Sequence, residues 1–195
     1  MGEMKSAWER ALEKVEGMGK LTEDEAKHIE YLPAGNRLAA KYLENTEFDL
    51  NAELTKYKGT SARKHIIQGA EEIFVRNITL TYHEKAKQTT RRAMAGIKIL
   101  KENKGQLDAI YERIENLLNY YEQARQQTFT QFKQGFEAKL QSTAAALQQK
   151  RGDATSLEAE LQQQFQQEWH KISSQLDAQY EKALEEHRQQ ILKTS

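Results

Sequence analysis

The stretch NYYEQARQQTFTQFKQGFEAKLQ, residues 119–141, places a glutamine at almost every turn and an aromatic where an aliphatic core residue would be expected. Its meaning comes from its neighbours. Upstream, Leu107, Ile110, Ile114, Leu117, Tyr121, Ala124 and Thr128 step by three and four, the spacing of a coiled-coil seam. Inside the stretch the inward positions become Phe132, Phe136 and Leu140, stepping by four, a stutter at which a supercoil relaxes. The seam resumes through Thr143 and Leu147 and is broken by KRGDATS, residues 150–156. A second seam then runs through Leu157, Leu161, Phe165, Trp169, Ile172, Leu176, Tyr180, Ala183, His187 and Ile191.

Two long proline-free seams around a short glycine-containing break predict an antiparallel helical hairpin with its turn near 151–156. Folding the chain about residue 153 brings Leu140 to Phe165, Phe136 to Trp169 and Phe132 to Ile172. The hairpin is assigned to residues 103–195. One aromatic seam on so long a hairpin leaves room for a second copy, so a homo-oligomer, a dimer, is expected.

The first hundred residues are punctuated differently. SAWERALEKVE, residues 6–16, sets Trp8, Leu12 and Val15 at helical spacing before Gly17 and Gly19. Thr22 with Glu25 three residues on predicts a capping box, and Pro33 is expected to end that helix and open the next. Asp49 reads as an N-cap with Leu50 and Leu54 inward, and Gly59 as a stop. Ser61 opens the most apolar helix, carrying Ile66, Ile67, Ala70, Ile73, Phe74 and Val75. RNITLTYHE, residues 76–84, is the one β-branched run and predicts an extended connector, with a lone strand as the alternative. Short helices of this kind need tertiary packing, so residues 5–102 are assigned to a small helical N-terminal domain and the fold class to all-α.

Composition narrows the function classes. The chain has 195 residues, 29 basic and 29 acidic, one proline and no cysteine. Thiolate metal sites, disulfides and cysteine catalysis are therefore excluded, and a reducing cytoplasm is expected. No run approaches the ~18 apolar residues of a membrane span, and the start MGEMKSAWERALEKV carries charges where a signal peptide needs an apolar core. None of the phosphate-loop, zinc-protease, calcium-loop or nucleophile-elbow motifs occurs, and the histidines at 28, 65, 83, 170 and 187 lack metal-ligand spacing. No catalytic, cofactor-binding or metal-binding residue is assigned, and no cofactor is expected. Glu23, Asp24 and Glu25 suit the first turn of a helix, where negative charge meets the dipole.

Two features remain. Residues 85–104 hold Lys85, Lys87, Arg91, Arg92, Lys98, Lys101 and Lys104 against one acid, Glu102. Such clustering reads as a solvated helix face or a surface for an anionic protein partner, with a nucleic-acid backbone as the alternative. Seventeen glutamines lie between residues 123 and 190. Gln is a good helix former that carries no charge, and it reads as a tolerant coat around the seam Phe132, Phe136, Leu140, Phe165, Trp169 and Ile172.

KSAWERALEKVE (5–16), LPAGNRLAAKYLE (32–44), ELTKYKGTSARKHIIQGAEEIFVRNITL (53–80) and QEWHKISSQLDAQYEKAL (167–184) together resemble a family of bacterial helical proteins with no established function. The resemblance covers most of the chain. It implies a soluble bacterial protein and carries over no catalytic or binding residue. The leading expectation is a non-enzymatic protein-interaction or scaffold protein that self-associates through its helices and engages a partner not identified by sequence. The alternatives are nucleic-acid binding through residues 85–104 and a chaperone-like hairpin.

Overall fold

A computed structural model describes residues 22–147 and 154–195. Among the described residues the fold is all-α: α1 Glu23–Glu44, α2 Leu50–Thr55, α3 Ala62–Arg76, α4 Glu84–Leu100, α5 Lys104–Leu147 and α6 Ala154–Lys193. The helix expected at 6–16 lies outside the described residues, as do residues 151–153 of the turn expected at 151–156, while 154–156 already belong to α6. By compactness the chain divides between Ile73 and Phe74, inside α3 and well before the composition change near residue 103.

In the first unit local chemistry starts the helices. Thr22 accepts from the Glu25 N–H while the Glu25 carboxylate accepts from the Thr22 N–H, so two otherwise orphaned donors are satisfied reciprocally. Of the adjoining acids, Glu23 pairs with Lys27, and Asp24 lies 3.2 Å from Nε2 of the buried His65. Asp49 caps α2 through the Ala52 N–H at 2.9 Å, and Leu50 and Leu54 are buried beneath it. Gly59 then takes φ +80°, a left-handed conformation that ends the turn.

Pro33 does not end a helix; it lies inside α1, which runs unbroken for 22 residues. Proline removes one N–H and displaces the carbonyl four residues back, here that of Ile29. Ile29 and Pro33 are both exposed, so the unpaired carbonyl lies on the solvent-facing side of α1. The turns beyond Pro33 are held by packing. Gly35 of α1 lies against the Ile66 carbonyl of α3, and Gly69 of α3 lies against the Leu32 carbonyl of α1. A Cβ at either glycine would fall well inside van der Waals contact with backbone, so the two helices cross backbone to backbone.

The second unit centres on Phe74, Ile78, Ala93, Met94, Ile97, Leu107, Ile110, Ile114, Leu184 and Ile191, all buried. Gly96 of α4 leaves the space that the Phe74 ring fills. The connector 77–83 forms no strand. Its β-branched residues instead hold it against helices: Ile78 is fully buried, and the buried Thr90 hydroxyl accepts from the Thr79 N–H and donates to the Asn77 carbonyl. From α6, Arg188 donates Nε and Nη2 to the Ile78 carbonyl.

α5 and α6 lie side by side and run in opposite directions. Tyr121 meets Asp177 and Tyr180, Phe129 meets Trp169, and Phe132 meets Phe165, so positions rise in one helix as they fall in the other. α5, at 44 residues, is roughly 65 Å long. Its early half is buried on two flanks, with Leu118 as well as Ile114 and Tyr121, because α4 packs there too.

The register differs from folding about residue 153. Phe136 contacts Phe165 at 5.0 Å between ring centroids, and Phe132 lies 4.8 Å from Phe165 and 5.7 Å from Trp169. The pairing is therefore displaced by about one helical turn. The reason is Phe129, which sits off the expected seam yet packs edge-on to Trp169 at 4.9 Å. Edge-to-face ring packing, not the midpoint of the break, selects the register.

Candidate functional site

The side of α5 that carries Phe129 builds a furrow. Glu122, Arg125, Gln126 and Phe129 recur at three- and four-residue steps and so share one face. Trp169 of α6 and Tyr82 of the connector complete the walls of a cavity of about 400 Å³. Further along the same face, Lys133, Phe136, Glu137 and Leu140 of α5, with Leu161, Gln162 and Phe165 of α6, line a second cavity of about 460 Å³. Positions 122, 126, 129, 133, 137 and 140 lie on one stripe of α5 about 27 Å long, and the two cavities that open along it are together called the furrow.

The charges at the first cavity are already matched. The Arg125 guanidinium stands 4.6 Å from the Tyr82 ring centroid and 5.6 Å from that of Trp169, within reach of both π faces. It donates to Asp177 at 2.9 Å and lies 3.4 Å from the Tyr121 hydroxyl. Tyr121 in turn donates to the same Asp177 oxygen at 2.8 Å. Burial, and then this bond to a carboxylate, push the Tyr121 phenol up to about 12. Glu122 is held by Lys87 of α4 at 2.6 Å. What the cavity offers is ring surface: Tyr82 is 43 % and Phe129 39 % exposed.

Of the expected seam residues, Phe132, Phe136, Leu140, Phe165 and Trp169 border the α5–α6 contact. Phe136 is buried, and Phe132, Leu140, Phe165, Trp169 and Ile172 are half-buried. Phe136, Leu140, Phe165 and Trp169 also line the furrow. The basic residues do not converge. Lys87, Arg91 and Lys98 share the face of α4 toward α5, where Lys87 meets Glu122 and Lys98 meets Asp108 at 2.5 Å, while Arg91 lies 3.6 Å from Glu84. Lys101 donates to the Thr194 carbonyl, Arg92 is half-buried, and Lys85 and Lys104 are exposed at opposite ends of the segment.

Sequence reading missed Tyr82, Arg125, Phe129 and Asp177. The seam steps through Thr128, so Phe129 falls one residue off the expected stripe even though its ring is the more apolar of the two. Tyr82 and Asp177 reach Arg125 across gaps of 43 and 52 residues in sequence, which no spacing rule bridges. Among the described residues no group of three or more His, Asp or Glu side chains is placed to hold a metal ion, and no helix is long and apolar enough to cross a membrane.

Fold and site together define an all-α chain with an aromatic furrow along a pair of long antiparallel helices. The chain belongs to the family of unknown function DUF6657, whose model matches residues 51–193 and so includes every residue of the furrow. No curated protein and no solved structure matches the chain.

Proposed function

We propose that the chain is a non-enzymatic protein-interaction or scaffold protein that receives an apolar helical or aromatic segment of a protein partner in the furrow between α5 and α6. One observation carries this reading. Phe129 and Tyr82 keep their rings exposed beside Trp169, while the flanking charges of Arg125 and Glu122 are matched within the chain by Asp177 and Lys87. A surface that has already neutralised its ions but not covered its rings gains on association chiefly by burying apolar area. Aromatic residues and arginine in such settings are the usual anchors of protein interfaces. The distribution of the α4 cations, several of them matched to carboxylates, favours this reading over a phosphate-backbone footprint.

The test is site-resolved photo-cross-linking in cells. A photoreactive phenylalanine at position 129 should capture protein, whereas the same group at Tyr120, 65 % exposed and on the opposite side of α5, should capture far less. Equal labelling at the two positions, or none at 129, would refute the reading.

A further inference from the structure

The furrow face of α5 carries charges and apolar side chains in a nearly symmetric order. Phe129, Lys133, Glu137 and Leu140 follow one another on one face of α5; the pair 133/137 is centred on Gly135, and the pair 129/140 half a residue before it. Suppose a second copy lays its α5 antiparallel across this face, related by a two-fold axis at that level. Lys133 of each copy then faces Glu137 of the other, and Phe129 of each lies within one residue of facing Leu140 of the other. A two-fold interface requires this reciprocity, in which a residue contacting a second finds that second contacting the first.

The charges and burial fit such a use. Lys133 and Glu137 lie 3.8 Å apart within one chain and are 57 % and 56 % exposed, a long and loosely held pair with capacity for a better partner. Phe129 is 39 % exposed and Leu140 half-buried, so both have apolar surface still to cover. The furrow floor, Phe136 and Phe165, would become the interior of a four-helix arrangement, the usual way for two helical hairpins to close an apolar face.

From this we infer that the furrow partner is a second copy of the chain, docked through an antiparallel α5–α5 contact in which Lys133 and Glu137 pair reciprocally. The inference rests on the furrow being a protein-docking surface and names its occupant. Oppositely charged residues at reciprocal positions also fix the register, because sliding by one turn sets like charges against each other.

Charge exchange tests it without disturbing the fold, since both side chains are exposed. Sedimentation velocity across a concentration series should show wild type dimerising. Lys133→Glu alone and Glu137→Lys alone should each weaken the dimer by roughly tenfold or more, because each places like charges at both reciprocal contacts. An equimolar mixture of the two variants should recover association, and so should the double variant Lys133→Glu/Glu137→Lys. Wild type that stays monomeric throughout would overturn the inference, as would single variants that dimerise like wild type or a mixture that fails to recover. Failure here is separable from failure of the docking reading. A monomer whose position-129 cross-linker captures a different protein loses the second copy and keeps the interface, whereas a monomer that captures nothing loses both.

Discussion

Tyr121 of α5 and Asp177 of α6 are joined by a 2.8 Å hydrogen bond, and Arg125, one turn along from Tyr121, reaches the same carboxylate oxygen at 2.9 Å. A buried phenol, a half-buried cation and one acceptor thus tie the two long helices together where they pass the connector. Removing the acceptor leaves both donors with less than they had. Asp177→Ala is expected to lower stability by about 2 kcal/mol, and Asp177→Asn, which keeps an acceptor for Tyr121, by about half as much. Urea unfolding midpoints decide it, and equal effects of the two substitutions would contradict the shared-acceptor account.

The same contact sets a pH dependence. The folded-state value for Tyr121, about 12, lies above the 10.0 of an ordinary tyrosine phenol, so the folded protein holds this proton more tightly than the unfolded chain. Its contribution is complete below pH 10 and is lost as pH rises toward 12. Tyr121→Phe should abolish that part of the alkaline loss of stability. Ultraviolet titration of the folded protein should show one phenol fewer in the late-titrating group of the variant.

Three glycines should respond in opposite directions to the same added methyl. Gly35→Ala and Gly69→Ala drive a Cβ into backbone of the facing helix, and each is expected to cost about 1–3 kcal/mol or more. Gly135 sits within α5 with nothing within 4 Å of its would-be Cβ, so Gly135→Ala should stabilise by up to about 1 kcal/mol. Thermal denaturation of the three variants measures the contrast.

Arg188 holds the connector by two donors to the Ile78 carbonyl, steered by Glu181 and Glu185. Lysine cannot reproduce that fork. Both Arg188→Lys and Arg188→Met are expected to destabilise, the second by roughly 2 kcal/mol. Amide exchange should quicken first at residues 77–83. Uniform quickening throughout α5 would point to another role.

Local chemistry was legible wherever donor and acceptor lie within one turn. The Thr22–Glu25 capping box, the Asp49 cap with Leu50 and Leu54 beneath it, and the turn at Gly59 follow from spacings of three or four residues. So do the helical seams of α5 and α6, because a 3.6-residue period leaves its imprint along the chain. Pro33 shows where the local rule fails. Taken alone it should stop a helix, but the Gly35 and Gly69 contacts hold the following turns in place, and no single-helix argument contains them.

By its sequence alone this protein was determined to be all-α, without cysteine chemistry, and built around long glutamine-coated helices with an aromatic seam. Tertiary structure alone decided the register of α5 on α6, the placement of Phe129 beside Trp169, and the meeting of Tyr82, Arg125 and Asp177. Helical period records which residues share a face, a property of neighbours in the chain. It does not record how far one face slides along another, and that is set by the fit of rings and ions from distant segments.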